Sequence, residues 1–261
     1  MKQSKDAVET KNLSIGWGDI NVLNKLSFKL KEGEKLAIVG PSGSGKSTIL
    51  KILAGLILPT EGELRIFGEK QTYLRLDQNY PPDVRLVFQN PALLGSLTIE
   101  ENVGFLLHRN KKLSKSFIHE MVSECLEEVG LFNIQDKLPN ELSGGMQKRV
   151  SFARALITDQ NMYTKTKPLL LFDEPTAGLD PIASSRIEDL INKTNEKANG
   201  SSIVVSHVMS TIERTSDKVL MLYGGKFRWA GSIDEFKKSS DPYVFQFRNG
   251  KLEGPMQPKD I

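Results

Sequence analysis

The sequence predicts an α/β fold: a core of buried strands around a phosphate-loop motif, an antiparallel β subdomain and a mostly helical insertion. Three observations carry this. Gly40-Pro41-Ser42-Gly43-Ser44-Gly45-Lys46-Ser47-Thr48 matches G-x-x-x-x-G-K-[ST] and lies between an aliphatic run and a helical pattern. Further aliphatic runs downstream end in polar or acidic residues. Residues 97–139 lack strand runs and show helical periodicity instead.

The phosphate loop comes in the order its chemistry needs. Lys35–Val39 reads as a short buried strand, and 48–54 as a helix with apolar Ile49, Leu50, Leu53 and Ala54. Glycines let backbone N–H groups point around a phosphate, and a helix N-terminus adds partial positive charge. Lys46 would supply a full charge to the β- and γ-phosphates, and Ser47 a hydroxyl to Mg²⁺. A turn that merely joins strand to helix would not need this order of residues, so the chain reads as a nucleotide-binding protein.

Upstream, residues 8–30 hold short apolar runs at Val8, Leu13–Ile15, Val22-Leu23 and Leu26–Leu30, separated by turns at 16–19 and 31–34. They predict antiparallel strands. Trp17 stands in the first turn; as a bare residue it suits packing better than stacking on a base. Downstream, 59–63 predicts a turn into a strand at 64–67, and 69–83 a polar loop containing Pro81-Pro82. Val84–Phe88 is a strand ending in Gln89, at the carboxyl edge where open α/β sheets keep ligands.

Residues 90–155 read as the helical insertion. Thr98–Val103 starts a helix with acids in its first turn, and 118–129 has helical periodicity. Leu93, Leu94, Leu97, Ile99, Val103 and Phe105 could either form a groove for a membrane partner's helix or close the insertion's own core. Leu142-Ser143-Gly144-Gly145 opens the last helix, whose Met146, Val150, Ala153 and Ile157 share a face. On their own, Ser143 and its glycines are either an ordinary N-cap or a second anion site.

After a polar loop at 158–167, the strand Leu169–Asp173 ends in two acids. Asp173 is placed to hold Mg²⁺ and Glu174 to polarise an attacking water. Gly178–Pro181 predicts a tight turn. Ser202–Ser206 is a buried strand ending at His207, whose place beside the other sites favours a γ-phosphate contact over a structural role. Residues 219–223 and 226–230 read as a hairpin, and beyond Gly231 the chain turns polar. This divides the chain into an ATPase domain, 1–245, and a tail, 246–261.

Composition adds limits. The 261 residues are 39% hydrophobic and 26% charged, with a net charge of +3, too mild to argue for nucleic acid. One cysteine, Cys125, excludes an internal disulfide and fits a reducing compartment. No apolar run is long enough to cross a membrane, so work at a membrane would pass through a partner. The first dozen residues lack a signal-peptide core, and the missing transit peptide favours a bacterial source over a nucleus-encoded plastid one.

Together the phosphate loop, Gln89, Leu142–Gly145, Leu169–Pro175, Asp180 and His207 resemble, in order and spacing, the ATP-binding subunits of ABC transporters. The resemblance covers nearly the whole chain. It implies ATP and Mg²⁺ as cofactors and a head-to-tail homodimer with two ATP molecules at its interface. Ser143, Gly144 and Gly145 would contact the γ-phosphate held by the other subunit. Glu174 would be the general base, His207 the γ-phosphate sensor and Gln89 the link between Mg²⁺ and the transport partner. Asp180 would lie between the two sites, and Trp17 would stack on adenine.

Met146, where Gln is commonest, is similar to the Mla-type branch that serves MCE-protein lipid transporters. So is the segment from Asp241 to Pro255, and the long 158–167 loop is similar to the cyanobacterial and plastid members. That implies a permease and an MCE-domain protein as partners. The location would be the cytoplasmic face of the inner membrane, or the stromal side of a plastid envelope. The alternatives are the same ATPase serving amino acids or a metabolite, and a soluble ABC ATPase outside transport. A single phosphate loop, no heptad array and mild charge weigh against nucleic-acid work.

Overall fold

Aliphatic runs at Lys35–Val39, Leu169–Asp173 and Ser201–Val205 are buried along nearly their whole length, as strands covered on both faces must be. A computed structural model describes residues 6–18, 20–79, 81–157 and 167–257. In chain order the first strands are β1 (Asp6–Trp17), β2 (Ile20–Lys31) and β3 (Lys35–Val39), followed by helix α1 (Lys46–Leu53). Next come β4 (Glu61–Ile66), β5 (Glu69–Lys70) and β6 (Val84–Val87). The insertion supplies α2 (Ile99–Val103), α3 (Lys115–Glu128) and α4 (Gly144–Leu156). Then follow β7 (Leu169–Asp173), α5 (Pro181–Ala198), β8 (Ser201–Val205) and α6 (Met209–Thr215). The chain closes with β9 (Lys218–Tyr223), β10 (Lys226–Ser232), α7 (Ile233–Lys238) and α8 (Pro242–Asn249).

Two sheets result. The central one has the order β10-β9-β3-β8-β7-β6, parallel except for the β10 edge; the other is antiparallel, in the order β2-β1-β4-β5. Because β3, β7 and β8 run in register and parallel, the residues just past their carboxyl ends converge on one edge. Those are the phosphate loop, Glu174 and the His207 segment.

Three apolar clusters hold this arrangement. One lies between the two sheets, where α1 packs Ile49, Leu50, Ile52 and Leu53 with Ile38 of β3 and Leu26 and Leu30 of β2. A second joins the insertion to the sheet, with Phe152 of α4 stacked on Phe172 of β7 at 5.5 Å between ring centroids. The insertion's core is thus continuous with one face of the central sheet. A third packs Ile212, Phe236, Val244 and Met256 against Ala37 and Val39. Cys125 is buried in the second cluster, which pushes its thiol pKa up to about 11 and makes it a packing residue.

Several expectations change. The short runs of 8–30 form only two long strands, kept continuous by bulges with left-handed residues at Asn12 and Lys25. The turn expected through 63 ends earlier: β4 starts at Glu61, which already pairs with Ser14 of β1, and a Cβ on Gly62 would meet Asn12 O at 2.3 Å. The 69–83 loop contains β5 and a 3₁₀ turn at Arg75–Asp77. The polar stretch beyond Gly231 holds α7 and α8, and the boundary placed after residue 245 falls inside α8. Its Gln246, 5% exposed, donates to Met256 O and accepts from Met256 N, so the chain after α8 is stitched to the body. The 158–167 loop lies outside the described residues except for Lys167. Among the described residues, no helix is long and apolar enough to cross a membrane.

Candidate functional site

The phosphate loop bends through left-handed glycines, Gly40 (φ 153°), Gly43 (74°) and Gly45 (99°). Gly40 is required sterically, since a Cβ there would meet Leu222 O at 2.1 Å. Gly43 has open space around it, so its need is conformational. Lys46 opens α1 and is buried, its Nζ donating to Gly40 O and Pro41 O at 2.9 Å each. These bonds fold the ammonium back across its own loop. Burial lowers the Lys46 pKa, with the nearby Glu174 and Asp173 carboxylates opposing. Ser44 Oγ is buried with no hydrogen-bond partner among the described residues. A buried hydroxyl without a partner is costly and suits a site that receives an oxygen-rich anion.

Ser47, the second residue of α1, donates its hydroxyl to Asp173 Oδ1 at 3.0 Å. Burial raises the Asp173 pKa; the Ser47 hydrogen bond lowers it and the Glu174 charge raises it further. One carboxylate and one hydroxyl fit Mg²⁺, which keeps most of its waters and takes its other oxygens from phosphates. Glu174 is 7% exposed and adopts φ 44°, unusual for a residue with a side chain. Its N–H donates to Val205 O at 2.9 Å, which hooks it to the end of β8. Its carboxylate lies between two cations or potential cations: Oε1 is 4.0 Å from Lys46 Nζ and Oε2 is 2.9 Å from His207 Nδ1. His207 keeps 56% of its side chain exposed, so the imidazole faces outward while one edge reaches Glu174.

The remaining candidates are spread around this centre. Trp17 ends β1 and is 56% exposed, which overturns the packing preference read from the bare residue. Val22 and Leu23 of the paired β2 lie against Gly45, so the Trp17 end of this hairpin lies beside the phosphate loop. Gln89 is exposed two residues past β6, whose Val87 pairs with Phe172 beside Asp173. Asp180 caps α5, its Oδ1 accepting from Ile182 N at 2.9 Å and Ala183 N at 3.0 Å. Those backbone donors lower its pKa. Ser143 caps α4 by accepting from Met146 N at 3.3 Å. Gly144 and Gly145 have open space where a Cβ would be, so nothing among the described residues demands glycine there. Among the described residues, no hydrogen bond or ion pair joins 143–145 to 40–48. The Leu93–Phe105 alternatives split: Ile99 and Val103 are fully buried, whereas Leu94 and Phe105 are 45% and 44% exposed.

Sequence reasoning missed the side chains that tie these segments together. Arg154 of α4 donates to Pro91 O and Ala92 O, just after Gln89. Lys148 of the same helix donates to Ala177 O at 2.5 Å, just after Glu174. Asn102, 1% exposed, donates to Leu94 O, Leu97 O and Thr98 O and accepts from Leu94 N. A helix spacing of six between two basic residues gave no hint of this, because their partners are backbone carbonyls on other segments.

Fold and site define a phosphate-loop nucleotide-binding protein. The family model described as "ABC transporter" matches residues 23–177. A relative in Arabidopsis thaliana, "Protein TRIGALACTOSYLDIACYLGLYCEROL 3, chloroplastic", is 46% identical over 260 residues, 96% of this chain and 75% of that protein. The "Intermembrane phospholipid transport system ATP-binding protein MlaF" of Haemophilus influenzae is 35% identical over 97% of this chain and 94% of its own length. Among solved structures, a dimeric post-hydrolysis state of the ATP-binding cassette MJ0796 bound to ADP and Pi aligns with a TM-score of 0.74. It is 32% identical and covers 87% of this chain and 98% of that one. The chain belongs to the ABC transporter family.

Proposed function

We propose that the chain is the ATP-hydrolysing subunit of a transporter that moves lipid. The observation that carries the hydrolytic part is the Glu174 carboxylate, buried beside the Ser47–Asp173 pair and 2.9 Å from His207. Residues 40–48 cradle the phosphates through backbone N–H groups, and Lys46 leaves its loop carbonyls to meet them. Ser47 and Asp173 would hold Mg²⁺, with Gln89, past the end of the neighbouring strand, as a further ligand. The metal supplies Lewis-acid polarisation of phosphate oxygens when bound. Glu174 accepts a proton from the attacking water, and His207 holds the far side of the transferred phosphate. Trp17 stacks on the adenine.

A Cβ at Gly144 or Gly145 would meet nothing within 4 Å among the described residues, which supports contact with nucleotide on a second copy of the chain, arranged head to tail. Asp180, at the head of α5, would sit between the two sites. Exposed Leu94 and Phe105 suit a membrane permease helix near Gln89. The intermembrane phospholipid transport named for one relative and the chloroplast protein at 46% identity support the lipid cargo, and the proposal adds an MCE-domain partner and a place on the cytoplasmic or stromal membrane face. The test is copurification from native membrane in mild detergent, with mass spectrometry of partners and lipids. The proposal expects a multi-spanning permease, an MCE-domain protein and bound phospholipid. A permease accompanied by a soluble binding protein for a metabolite would overturn the lipid cargo.

A further inference from the structure

A buried polar chain joins the two loops that carry Glu174 and His207. Thr176, two residues after Glu174, is 2% exposed, and Thr211, four after His207, is fully buried. Their hydroxyl oxygens are 2.8 Å apart. Thr211 Oγ1 donates to Glu188 Oε1 at 2.9 Å, and Glu188, on α5, is 1% exposed. A carboxylate only accepts, so Thr211's single hydroxyl proton goes to Glu188 and Thr176 donates to Thr211. Glu188 Oε1 also accepts from Ser210 Oγ at 3.0 Å, and its Oε2 from Arg214 Nη1 at 3.0 Å. Arg214 in turn reaches Ser185 and Asp189 of α5. Every member of the chain has its partner, and its direction is fixed from one loop to the other.

Stability alone gives this arrangement a weak reason to exist. A well-packed apolar residue fills such a space at no desolvation cost, whereas a buried carboxylate must be matched donor by donor. What the network adds is direction. Glu174 sits at φ 44°, a backbone state that persists only where its surroundings over-determine it. Among the described residues its backbone is fixed by its N–H to Val205 O at 2.9 Å and its carbonyl accepting from Ala177 N at 3.1 Å. Its carboxylate meets His207 directly, with Oε2 accepting from His207 N at 3.4 Å and 2.9 Å from Nδ1. Its loop is held by Lys148 on Ala177 O and by the Thr176–Thr211 bond. The Thr176–Thr211 bond ties its loop to the helix that begins two residues after His207, and so backs the direct Glu174–His207 contact from behind.

We propose that Thr176, Thr211 and Glu188 are positioning residues that hold Glu174 and His207 at their working separation. The proposal rests on the reading of that pair as the hydrolytic centre. Neither threonine touches the phosphate loop; each acts through the loop it anchors. A misplacement of about 1 Å at a reacting group costs on the order of a hundredfold in rate, so a lost anchor is visible in turnover before it is visible in binding.

The experiment measures ATP turnover by the full chain purified with the membrane components that copurify with it. Thr211→Val is expected to lower kcat by about tenfold or more, with KM for ATP within about twofold of wild type. Thr211→Ser, which keeps the hydroxyl, is expected to restore kcat to within about twofold. In a His207→Ala background the same Thr211→Val change should cost less than about twofold, because the position it holds is already lost. Wild-type kcat in Thr211→Val would overturn the proposal, as would an equal loss in both backgrounds. If Thr211→Val does not fold, Thr176→Val carries the same test with the Thr211–Glu188 bond left in place. Glu174→Gln, run alongside, separates the two claims. Normal turnover in that variant removes the hydrolytic reading itself, while lost turnover there with an unaffected Thr211→Val removes the positioning role alone.

Discussion

Asp173 shows at the scale of one residue how function and stability pull apart. Burial raises its pKa above the ordinary 3.8, with Glu174 adding to the effect and Ser47 and Lys46 opposing it. The folded protein therefore binds that proton more tightly than the unfolded chain does. Folding is penalised once the pH exceeds the ordinary carboxylate value, and the penalty vanishes below it. Asp173→Asn keeps the acceptor for Ser47 and removes the charge. In ligand-free protein it should raise Tm at neutral pH, with a gain that shrinks as pH falls toward 4. ATP turnover should fall about a hundredfold or more for want of the metal ligand. Thermal melts at several pH values beside a phosphate-release assay check both halves; a lower Tm at pH 7 would contradict the burial argument. The sequence already pointed to Asp173, Glu174 and His207, because aliphatic runs ending in polar residues mark the edge of a parallel sheet. It could not reveal Glu188 or Thr176, whose partners lie on other elements and follow no motif.

Helix α4 concentrates the element-scale consequences. Its N-cap is Ser143, its first turn is Gly144-Gly145, and its length carries Lys148 and Arg154 to the loops after Glu174 and Gln89. The apolar face read at steps of four and three is the face buried against the insertion and β7. Its glycines are a separate matter. Gly144 has room for a methyl group and lies within a helix, where alanine is preferred. Gly144→Ala should leave stability unchanged or raise it, by up to about 1 kcal/mol, and yet lower ATP turnover at least tenfold. Circular-dichroism melts and turnover on one preparation decide this; retained turnover would show that the position does not face nucleotide. Gly40→Ala makes the contrast, since its clash is with the backbone of β9.

Across the whole molecule, the central sheet was the most legible part. Strands β3, β7 and β8 announce themselves as unbroken aliphatic runs, and their parallel register gathers loops from residues 40, 174 and 207 onto one edge. The two-sheet core around α1 was legible only in part, since bulges at Asn12 and Lys25 disguise long strands as short ones. Helix α5 passed unremarked because its buried face mixes Ile187 and Ile191 with Glu188, Thr194 and Asn195. The C-terminal helices were missed because the stretch reads as polar overall, while its few apolar residues, Phe236 and Val244 among them, are buried in the third cluster and Gln246 is bonded to Met256. At this scale the proposal is that nucleotide joins two copies through Ser143–Gly145 and that Glu174 ends that state by hydrolysis. The direct measurement is sedimentation of Glu174→Gln with and without Mg-ATP. The account predicts a species of twice the chain mass only with nucleotide, lost when Gly144→Ala is added. A Glu174→Gln chain that binds Mg-ATP and stays monomeric would contradict it.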